Sequence, residues 1–189
     1  MRSRQRDLLG VDAVVKETAA RFNKPTSKDD LLKMVRGINA RLVLHETDAD
    51  TLRSNYLRRP AGEILKSGKI MTEVSGAGGM LIGGCMDQTL VIMAVLRAKG
   101  FVSGKNLFFI RVKSNKGPAH SLAEVELDGV RYFVDPRNER VYGSLDKFVK
   151  IWLRAIRTHS GGVVMRGATP YAAGVRKLSD AFHPNAFIP

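Results

Sequence analysis

The chain has 189 residues, of which 44% are hydrophobic and 26% charged, a balance typical of a folded globular protein rather than a disordered or fibrous one. Lysine and arginine outnumber the acids by 31 to 18, giving a net charge of +13, and a single cysteine excludes an internal disulfide. The apolar runs are too short to span a bilayer, so no transmembrane segment is expected. No apolar segment follows the basic residues at positions 2–6, so we expect no signal peptide and a cytoplasmic protein.

The amino-terminal part of the chain predicts four helical segments. Their apolar residues recur at helical spacing, and prolines or capping side chains mark their ends. The segments are residues 7–22, ended by Pro25; a helix capped by Thr26 or Ser27 and continuing through Val43; a helix from Thr47 or Asp48 through Leu57, stopped by Pro60; and a short piece from Ala61 to Lys66.

A glycine-rich stretch, residues 75–84, comes next. It matches neither the dinucleotide-binding pattern nor the P-loop pattern, so a phosphate-binding role is rejected. Two uses remain open. Its glycines can let the backbone approach Cys85 closely and supply N–H groups for an oxyanion, or the stretch is a flexible connector.

A buried helix is predicted to begin at the only cysteine. The run from Cys85 to Lys99 lacks proline and is apolar at almost every position in its middle. It ends at Gly100, where a left-handed C-terminal cap belongs. The unpaired N–H groups and the dipole at a helix start stabilise a thiolate. A lone cysteine is more often a small buried hydrophobe, so a nucleophile also needs a histidine base and an orienting carboxylate nearby in space.

A histidine and an aspartate are predicted to meet on one face of a β-hairpin. Asp128-Gly129 separates two alternating runs, which indicates a two-residue turn. That turn pairs Leu127 with Val130. It therefore places His120 diagonal to Asp135 on the same face, about 7–8 Å away at the backbone. A slip of one residue would move the two side chains to opposite faces, so the register predicts a hydrogen-bonded pair.

The rest of the chain predicts a central strand over residues 106–113, a short strand or turn at 141–143, and a helix capped by Ser144. That helix has an apolar inner face and a basic outer face. The inner face consists of Leu145, Phe148, Val149, Trp152 and Ile156, and the outer face of Lys147, Lys150, Arg154 and Arg157.

The order of the chemical groups resembles a known family. Cys85-Met86-Asp87 opens a buried helix, His120 lies near a strand start, and Asp135-Pro136 ends the next strand. This order resembles the transglutaminase-like superfamily of papain-like cysteine enzymes over roughly residues 50–150. The resemblance implies that Cys85 is the nucleophile, that His120 is the general base and then the acid, and that Asp135 orients the imidazole.

The resemblance also implies an α+β fold, in which a buried nucleophile helix and N-terminal helices pack on an antiparallel sheet. We expect one catalytic domain over residues 1–158, made of N-terminal helices (1–46) and a core (47–158). An extension over residues 159–189 follows. Its apolar residues argue against disorder and indicate an arm packed on its own domain, or on a neighbouring subunit in an oligomer.

The resemblance implies acyl transfer from peptide or glutamine-type amides through a thioester on Cys85, with a peptide or protein as substrate. Water as the acceptor gives a thiol hydrolase, a protease or amidase, which we favour because the extra domains of the large cross-linking enzymes are not found in the sequence. A lysine amine as the acceptor gives a cross-linking transglutaminase.

The positive charge leaves a non-catalytic alternative open. Residues 137–177 hold nine basic and two acidic residues, so the segment carries +7 of the net charge. A basic stripe attracts nucleic acid or another polyanion, and a binding or structural module could use Lys147, Lys150, Arg154 and Arg157 in this way. No known nucleic-acid-binding motif is visible. No cofactor or metal is expected, because no cluster has metal-ligand spacing, and His45, His159 and His183 are predicted to be surface or structural residues.

Overall fold

The computed structural model describes residues 7–74, 81–82, 84–114, 119–155 and 162–175. These residues form a mixed α and β fold with an antiparallel sheet, which agrees with the α+β class expected from the sequence. The helices are α1 (Ala13–Ala20), α2 (Lys28–Asn39), α3 (Ala49–Asn55), α4 (Ala61–Ser67), α5 (Gly84–Ala98) and α6 (Leu145–Ala155). The strands are β1 (Val43–Glu46), β2 (Lys69–Val74), β3 (Leu81–Ile82), β4 (Leu107–Ser114), β5 (Ala119–Leu127), β6 (Val130–Asp135), β7 (Arg140–Tyr142) and β8 (Gly162–Gly167).

Two sheets organise the strands. The larger sheet has the order β7-β6-β5-β4-β8, and every neighbouring pair in it is antiparallel. The smaller sheet has the order β1-β2-β3, with β1 parallel and β3 antiparallel to β2. Because β4 lies between β5 and β8, the prediction of a central strand is confirmed.

Helix α5 lies at the centre of the main core. Every residue from Gln88 to Leu96 is buried, because α1, α2 and α4 pack around the helix and β5 lies against it. Gly100 ends the helix with a φ of 89°, and the N–H of Phe101 donates to the carbonyl of Leu96 at 3.1 Å. The predicted buried helix and its glycine cap are therefore confirmed. None of the helices in the described ranges, α5 included, is long and apolar enough to cross a bilayer.

The five-stranded sheet separates two apolar clusters. The main core lies on one face, against α5 and the N-terminal helices, and includes Phe109, Ala123 and Val125. The second cluster lies between the other face and α6. It consists of Ile110, Val112, Leu122, Phe133, Tyr142, Phe148 and Trp152, with Leu145, Val149, Ile151 and Leu153 packed against it. The predicted inner face of α6 is thus confirmed, apart from Ile156, which lies outside the described residues.

Three of the predicted N-terminal helices are shorter than expected. Helix α1 begins at Ala13 rather than near residue 7, because the carboxylate of Asp12 caps it and accepts the N–H of Val15 at 2.9 Å. Helix α2 ends at Asn39, and its predicted continuation through Val43 is wrong because Val43 begins β1. Helix α3 ends at Asn55, since Leu57 has a φ of 57° and cannot continue a right-handed helix.

Two predicted helix starts are confirmed by their caps. The hydroxyl of Ser27 accepts the N–H of Asp30 at 3.2 Å at the start of α2. The carboxylate of Asp48 accepts the N–H of Thr51 at 2.8 Å at the start of α3. Both caps satisfy N–H groups that a helix start leaves without an intrahelical partner.

Residues 162–175 belong to the fold. Strand β8 pairs with β4, Val175 is fully buried in the main core, and the hydroxyl of Tyr171 donates to the carbonyl of Leu57 at 3.1 Å. This part of the chain packs on its own core, which is one of the two arrangements that the sequence leaves open. Residues 176–189, and the predicted boundary between residues 158 and 159, lie outside the described residues.

Candidate functional site

Cys85 lies in the first turn of α5 and is partly exposed. One turn later, the hydroxyl of Thr89 shares its hydrogen between the carbonyl oxygens of Cys85, at 2.7 Å, and Ser121, at 3.1 Å. Ser121 follows His120 on β5. The start of the nucleophile helix is therefore tied to the backbone next to the histidine. Thr89 carries no sequence signal of this role, because the strand that it contacts is distant along the chain.

Gly84 lets the start of α5 approach β2 closely. A Cβ at this position would lie 3.0 Å from Cγ2 of Thr72 and 3.3 Å from Cγ2 of Ile70, and both of those residues are buried. This contact is with β2, whereas the close approach predicted for the glycine-rich stretch is of the backbone to Cys85. Residues 75–80 and 83, with the oxyanion donors predicted there, lie outside the described residues.

His120 and Asp135 are joined across the hairpin of β5 and β6. Nε2 of His120 lies 2.8 Å from Oδ1 of Asp135, and the two residues are 7% and 0% exposed. The observed register pairs Leu127 with Val130, and both residues of the Asp128-Gly129 turn have positive φ, at 47° and 79°. The predicted turn, register and hydrogen bond are confirmed.

The carboxylate of Asp135 is held by the turn that follows it. Asn138 donates its side-chain amide to Oδ2 at 2.7 Å and its N–H to Oδ1 at 3.3 Å. The carbonyl of Pro136 accepts from the side-chain Nδ2 of Asn39 at 2.7 Å. The side-chain amide of Gln88 donates to Oδ1 of Asn39 at 3.3 Å. The turn is thereby fixed relative to the first turns of α5. An asparagine three residues after a strand-ending aspartate was a usable sequence signal for Asn138.

The thiol of Cys85 and the imidazole of His120 act on each other's pKa through hydrogen bonding and charge, which indicates that the two groups lie side by side. Because Nε2 faces Asp135, Nδ1 is the ring nitrogen left for the sulfur. The backbone N–H of Ser121 also acts to lower the pKa of the thiol. The three residues singled out from the sequence thus lie together, with His120 between the thiol of Cys85 and the carboxylate of Asp135.

Burial and hydrogen bonding act in opposite directions on these groups. Burial raises the pKa of Cys85, but the hydrogen bond and positive charge of His120 outweigh it and lower the pKa of the thiol. Burial lowers the pKa of His120, but the hydrogen bonds to Asp135 and Cys85 reverse this and raise the pKa to about 10. Burial raises the pKa of Asp135, whereas His120 and Asn138 lower it. The pKa shifts of Cys85 and His120 both act in the direction that favours a thiolate–imidazolium pair over the neutral thiol and imidazole.

Two aromatic rings of α6 cover the imidazole. The His120 ring centroid is 5.7 Å from that of Phe148, at an interplanar angle of 27°, and 6.3 Å from that of Trp152, at 34°. The two rings shield the imidazole from water and restrict its orientation. Helical spacing predicted that Phe148 and Trp152 face inward, but it could not identify His120 as their neighbour, because periodicity defines a face and not its contacts.

Asp87, two residues after Cys85, forms an ion pair that the sequence did not reveal. Its Oδ2 accepts from Nη1 of Arg59 at 3.1 Å and from the N–H of Met71 at 3.2 Å. Burial raises the pKa of Asp87 to about 6, although Arg59 and the N–H of Met71 act to lower it. Arg59 also donates to the hydroxyl of Ser67 and to the carbonyl of Lys69, each at 2.8 Å. It thereby fixes the start of β2 against α5.

The other residues singled out from the sequence take no part in the cluster of Cys85, His120 and Asp135. Lys147, Lys150 and Arg154 are exposed on α6, and His45 is exposed on β1, whereas Arg157, His159 and His183 lie outside the described residues. Within the ranges that the structure describes, no group of three or more His, Cys, Asp and Glu side chains is arranged to hold a metal ion.

Comparisons with known proteins assign no family. No protein-family model matches the chain, and no curated protein matches it. A crystal structure of a TGase is similar, with 14% sequence identity and a TM-score of 0.37 over 69% of this chain. The match covers 31% of that structure's own length. Identity and TM-score at this level assign neither a family nor an activity.

Proposed function

We propose that this chain is a cysteine-dependent acyl-transfer enzyme with a transglutaminase-like core, in which Cys85 is the nucleophile, His120 the general base and acid, and Asp135 the residue that orients the imidazole. The observation that carries the proposal is the position of His120 between the partly exposed thiol, whose pKa it lowers, and the buried carboxylate to which it is hydrogen-bonded. A structural cysteine needs neither a histidine that lowers its pKa nor a carboxylate behind that histidine.

The first half of the reaction forms a thioester. The thiolate of Cys85 attacks the carbonyl carbon of an amide, and the electrons of the C=O bond move to the oxygen. The N–H of Cys85, in the first turn of α5, donates to this oxyanion. The imidazolium of His120 then gives its proton to the amide nitrogen. The C–N bond breaks, and the amine leaves.

The second half releases the acyl group. Neutral His120 takes a proton from water, the water oxygen attacks the thioester carbon, and the C–S bond breaks. A carboxylic acid leaves, and the thiolate–imidazolium pair is restored. Asp135 holds the Nε2–H of the imidazole in both halves and stabilises its cation.

The acceptor decides the class of enzyme. We favour water, which makes the chain a thiol hydrolase acting as a protease or amidase on peptide or glutamine-type amides, because water needs no second binding site. A lysine amine as the acceptor would make it a protein-crosslinking transglutaminase. Product analysis separates the two, since hydrolysis yields a free acid whereas transfer yields a new amide carrying the added amine.

Activity-based labelling with a library of electrophilic peptide amides tests the proposal. The wild-type protein should form a covalent adduct at Cys85, located by mass spectrometry of the intact protein and of its peptides. Cys85→Ala should form none, and unmodified peptide amides should turn over only with the wild type. Labelling of Cys85 no faster than that of free cysteine, with no turnover of any peptide, would contradict an acyl-transfer enzyme.

A second candidate function, binding of a polyanion, is favoured by the exposed basic face of α6. Lys147, Lys150 and Arg154 all lie on this face, opposite the side chains that pack near His120. Salt-sensitive binding of nucleic acid by Cys85→Ala, lost when the three basic residues are replaced by glutamine, would support a binding module. Turnover by the wild type without such binding would exclude it.

The proposed chemistry also indicates a compartment. Cys85 is a free thiol, and its proposed role needs the reduced form. We therefore propose a reducing environment such as the cytoplasm.

A further inference from the structure

We propose that Arg137 is a specificity-determining residue of the Cys85 site, which selects acyl donors that carry a carboxylate close to the scissile carbonyl. This inference rests on the proposed acyl-transfer function and names its substrate class. It comes from the turn between β6 and β7, residues 136–139.

Arg137 lies beside the backbone that carries the nucleophile. Its Nη1 atom is 3.8 Å from the position that a Cβ on Gly84 would occupy. Gly84 directly precedes Cys85, so the guanidinium stands next to the start of α5. Arg137 is partly exposed, which leaves its donors accessible to a bound ligand.

The other residues of this turn are occupied. Asn138 donates to the carboxylate that ends β6, and both Pro136 and Glu139 accept from the side-chain amide of Asn39, at 2.7 and 3.3 Å. Among the described residues, Arg137 has no hydrogen-bonding or ion-pairing partner. These contacts hold the backbone of the turn in place beside the start of α5.

No acidic side chain in the described part of the site forms an ion pair with the guanidinium. In the thiolate–imidazolium state, the negative charges of Cys85 and Asp135 both contact the positive His120. A substrate carboxylate is the group that the planar guanidinium fits best, because two parallel N–H groups can bind its two oxygens. That carboxylate belongs either to an acidic side chain next to the scissile amide or to a free C-terminus.

Alkylation of Cys85 by two reagents of different charge tests the inference. Iodoacetate adds a carboxymethyl group to the sulfur and iodoacetamide adds a carbamidomethyl group, each with loss of iodide. Only iodoacetate carries a carboxylate. Arg137→Gln should slow iodoacetate about fivefold more than it slows iodoacetamide. Arg41→Gln removes the same charge from an exposed position before β1, and its ratio of the two rates should equal that of the wild type.

Peptide donors identify the source of the carboxylate. One pair of peptide amides differs by glutamate or glutamine beside the scissile bond, and a second pair differs by a free or an amidated C-terminus. The wild type should show a lower KM for the anionic member of one pair, and Arg137→Gln should lose that preference. The peptide pair for which Arg137→Gln loses the preference identifies whether the carboxylate belongs to an acidic side chain or to a free C-terminus.

Equal slowing by the two alkylating reagents in Arg137→Gln would overturn the inference, because the guanidinium would then act on the thiolate itself. Rates of both reagents that do not change in Arg137→Gln, or no preference in either peptide pair, would overturn it as well. If iodoacetamide alkylates wild-type Cys85 no faster than free cysteine, the proposed acyl-transfer function fails instead, while the ratio of the two reagents still reports the charge beside the sulfur.

Discussion

Nε2 of His120 lies 2.8 Å from Oδ1 of Asp135, although 15 positions separate the two residues along the chain. The contact follows from the two-residue turn at Asp128-Gly129, which sets the offset between β5 and β6 and places both side chains on the same face. The turn chemistry that closes the hairpin therefore also builds one half of the proposed catalytic site.

Asp135→Asn should lower the rate of acyl transfer by about 10²-fold or more, because an amide cannot stabilise the imidazolium and can hold the wrong tautomer. The pKa of His120 should fall, since the carboxylate that supports the imidazolium is lost. Rate against pH for the variant and the wild type measures both effects. Asp128→Asn makes the same chemical change in the exposed turn, and identical behaviour of the two variants would contradict the role of Asp135.

Gly84→Ala should lower the free energy of unfolding by about 1 kcal/mol, because the added Cβ would press on Thr72 and Ile70, which are buried and cannot move aside. Urea unfolding measures the change. Gly143→Ala is the matched control, since a Cβ there has no heavy atom within 4 Å. A Gly84→Ala protein as stable as the control would show that the start of α5 does not pack tightly against β2.

Phe148→Leu should lower the free energy of unfolding by about 1–2 kcal/mol, because leucine keeps an apolar side chain but loses the ring contacts with His120, Tyr142 and Trp152. The imidazole should also become less restricted, which NMR relaxation of the histidine ring can detect. Val149→Leu, on the same helix, should leave the imidazole signals unchanged. Identical imidazole relaxation in Phe148→Leu and the wild type would contradict a restraining role for the aromatic ring.

Arg59→Met should lower the free energy of unfolding by about 3 kcal/mol at neutral pH, because it leaves the carboxylate of Asp87 without its cation. Arg59 lowers the pKa of Asp87, so its removal should raise that pKa above about 6. A folded-state pKa above that of the unfolded chain destabilises the ionised form, so the deficit should grow as the pH rises and shrink in mild acid. Urea unfolding on both sides of this pKa measures it, and an equal deficit at both would contradict the expectation.

Features decided by near neighbours could be predicted from the sequence. The caps at Ser27 and Asp48 and the glycine end of α5 depend on side chains or backbone angles within a few residues. The hairpin register depends on its two turn residues. Because these interactions are local, a single sequence carries enough information to predict them, and with them the meeting of His120 and Asp135.

The smaller sheet and β8 could not be predicted in this way. All four residues of β1 are exposed, and Val43 continues the apolar spacing of α2, so the strand exists because it pairs with β2. Strand β8 lies in a glycine-rich segment, and it forms because its backbone pairs with the edge of β4. The contacts of Phe148 with His120 and of Arg59 with Asp87 were missed for the same reason, since pairing between distant segments leaves no periodic signal.

The pH dependence of Cys85 alkylation by iodoacetamide tests the proposed thiolate–imidazolium pair most directly. The chain has one cysteine, so the rate reports that thiol alone. Because the pKa of Cys85 is lowered, the wild-type rate should fall at a lower pH than that of an ordinary thiol. In His120→Ala the alkylation rate should begin to fall once the pH drops below the ordinary thiol pKa of about 8.5. The rate of His45→Ala should match that of the wild type. A wild-type rate that falls at the ordinary thiol pKa, as in His120→Ala, would contradict the proposed enzyme.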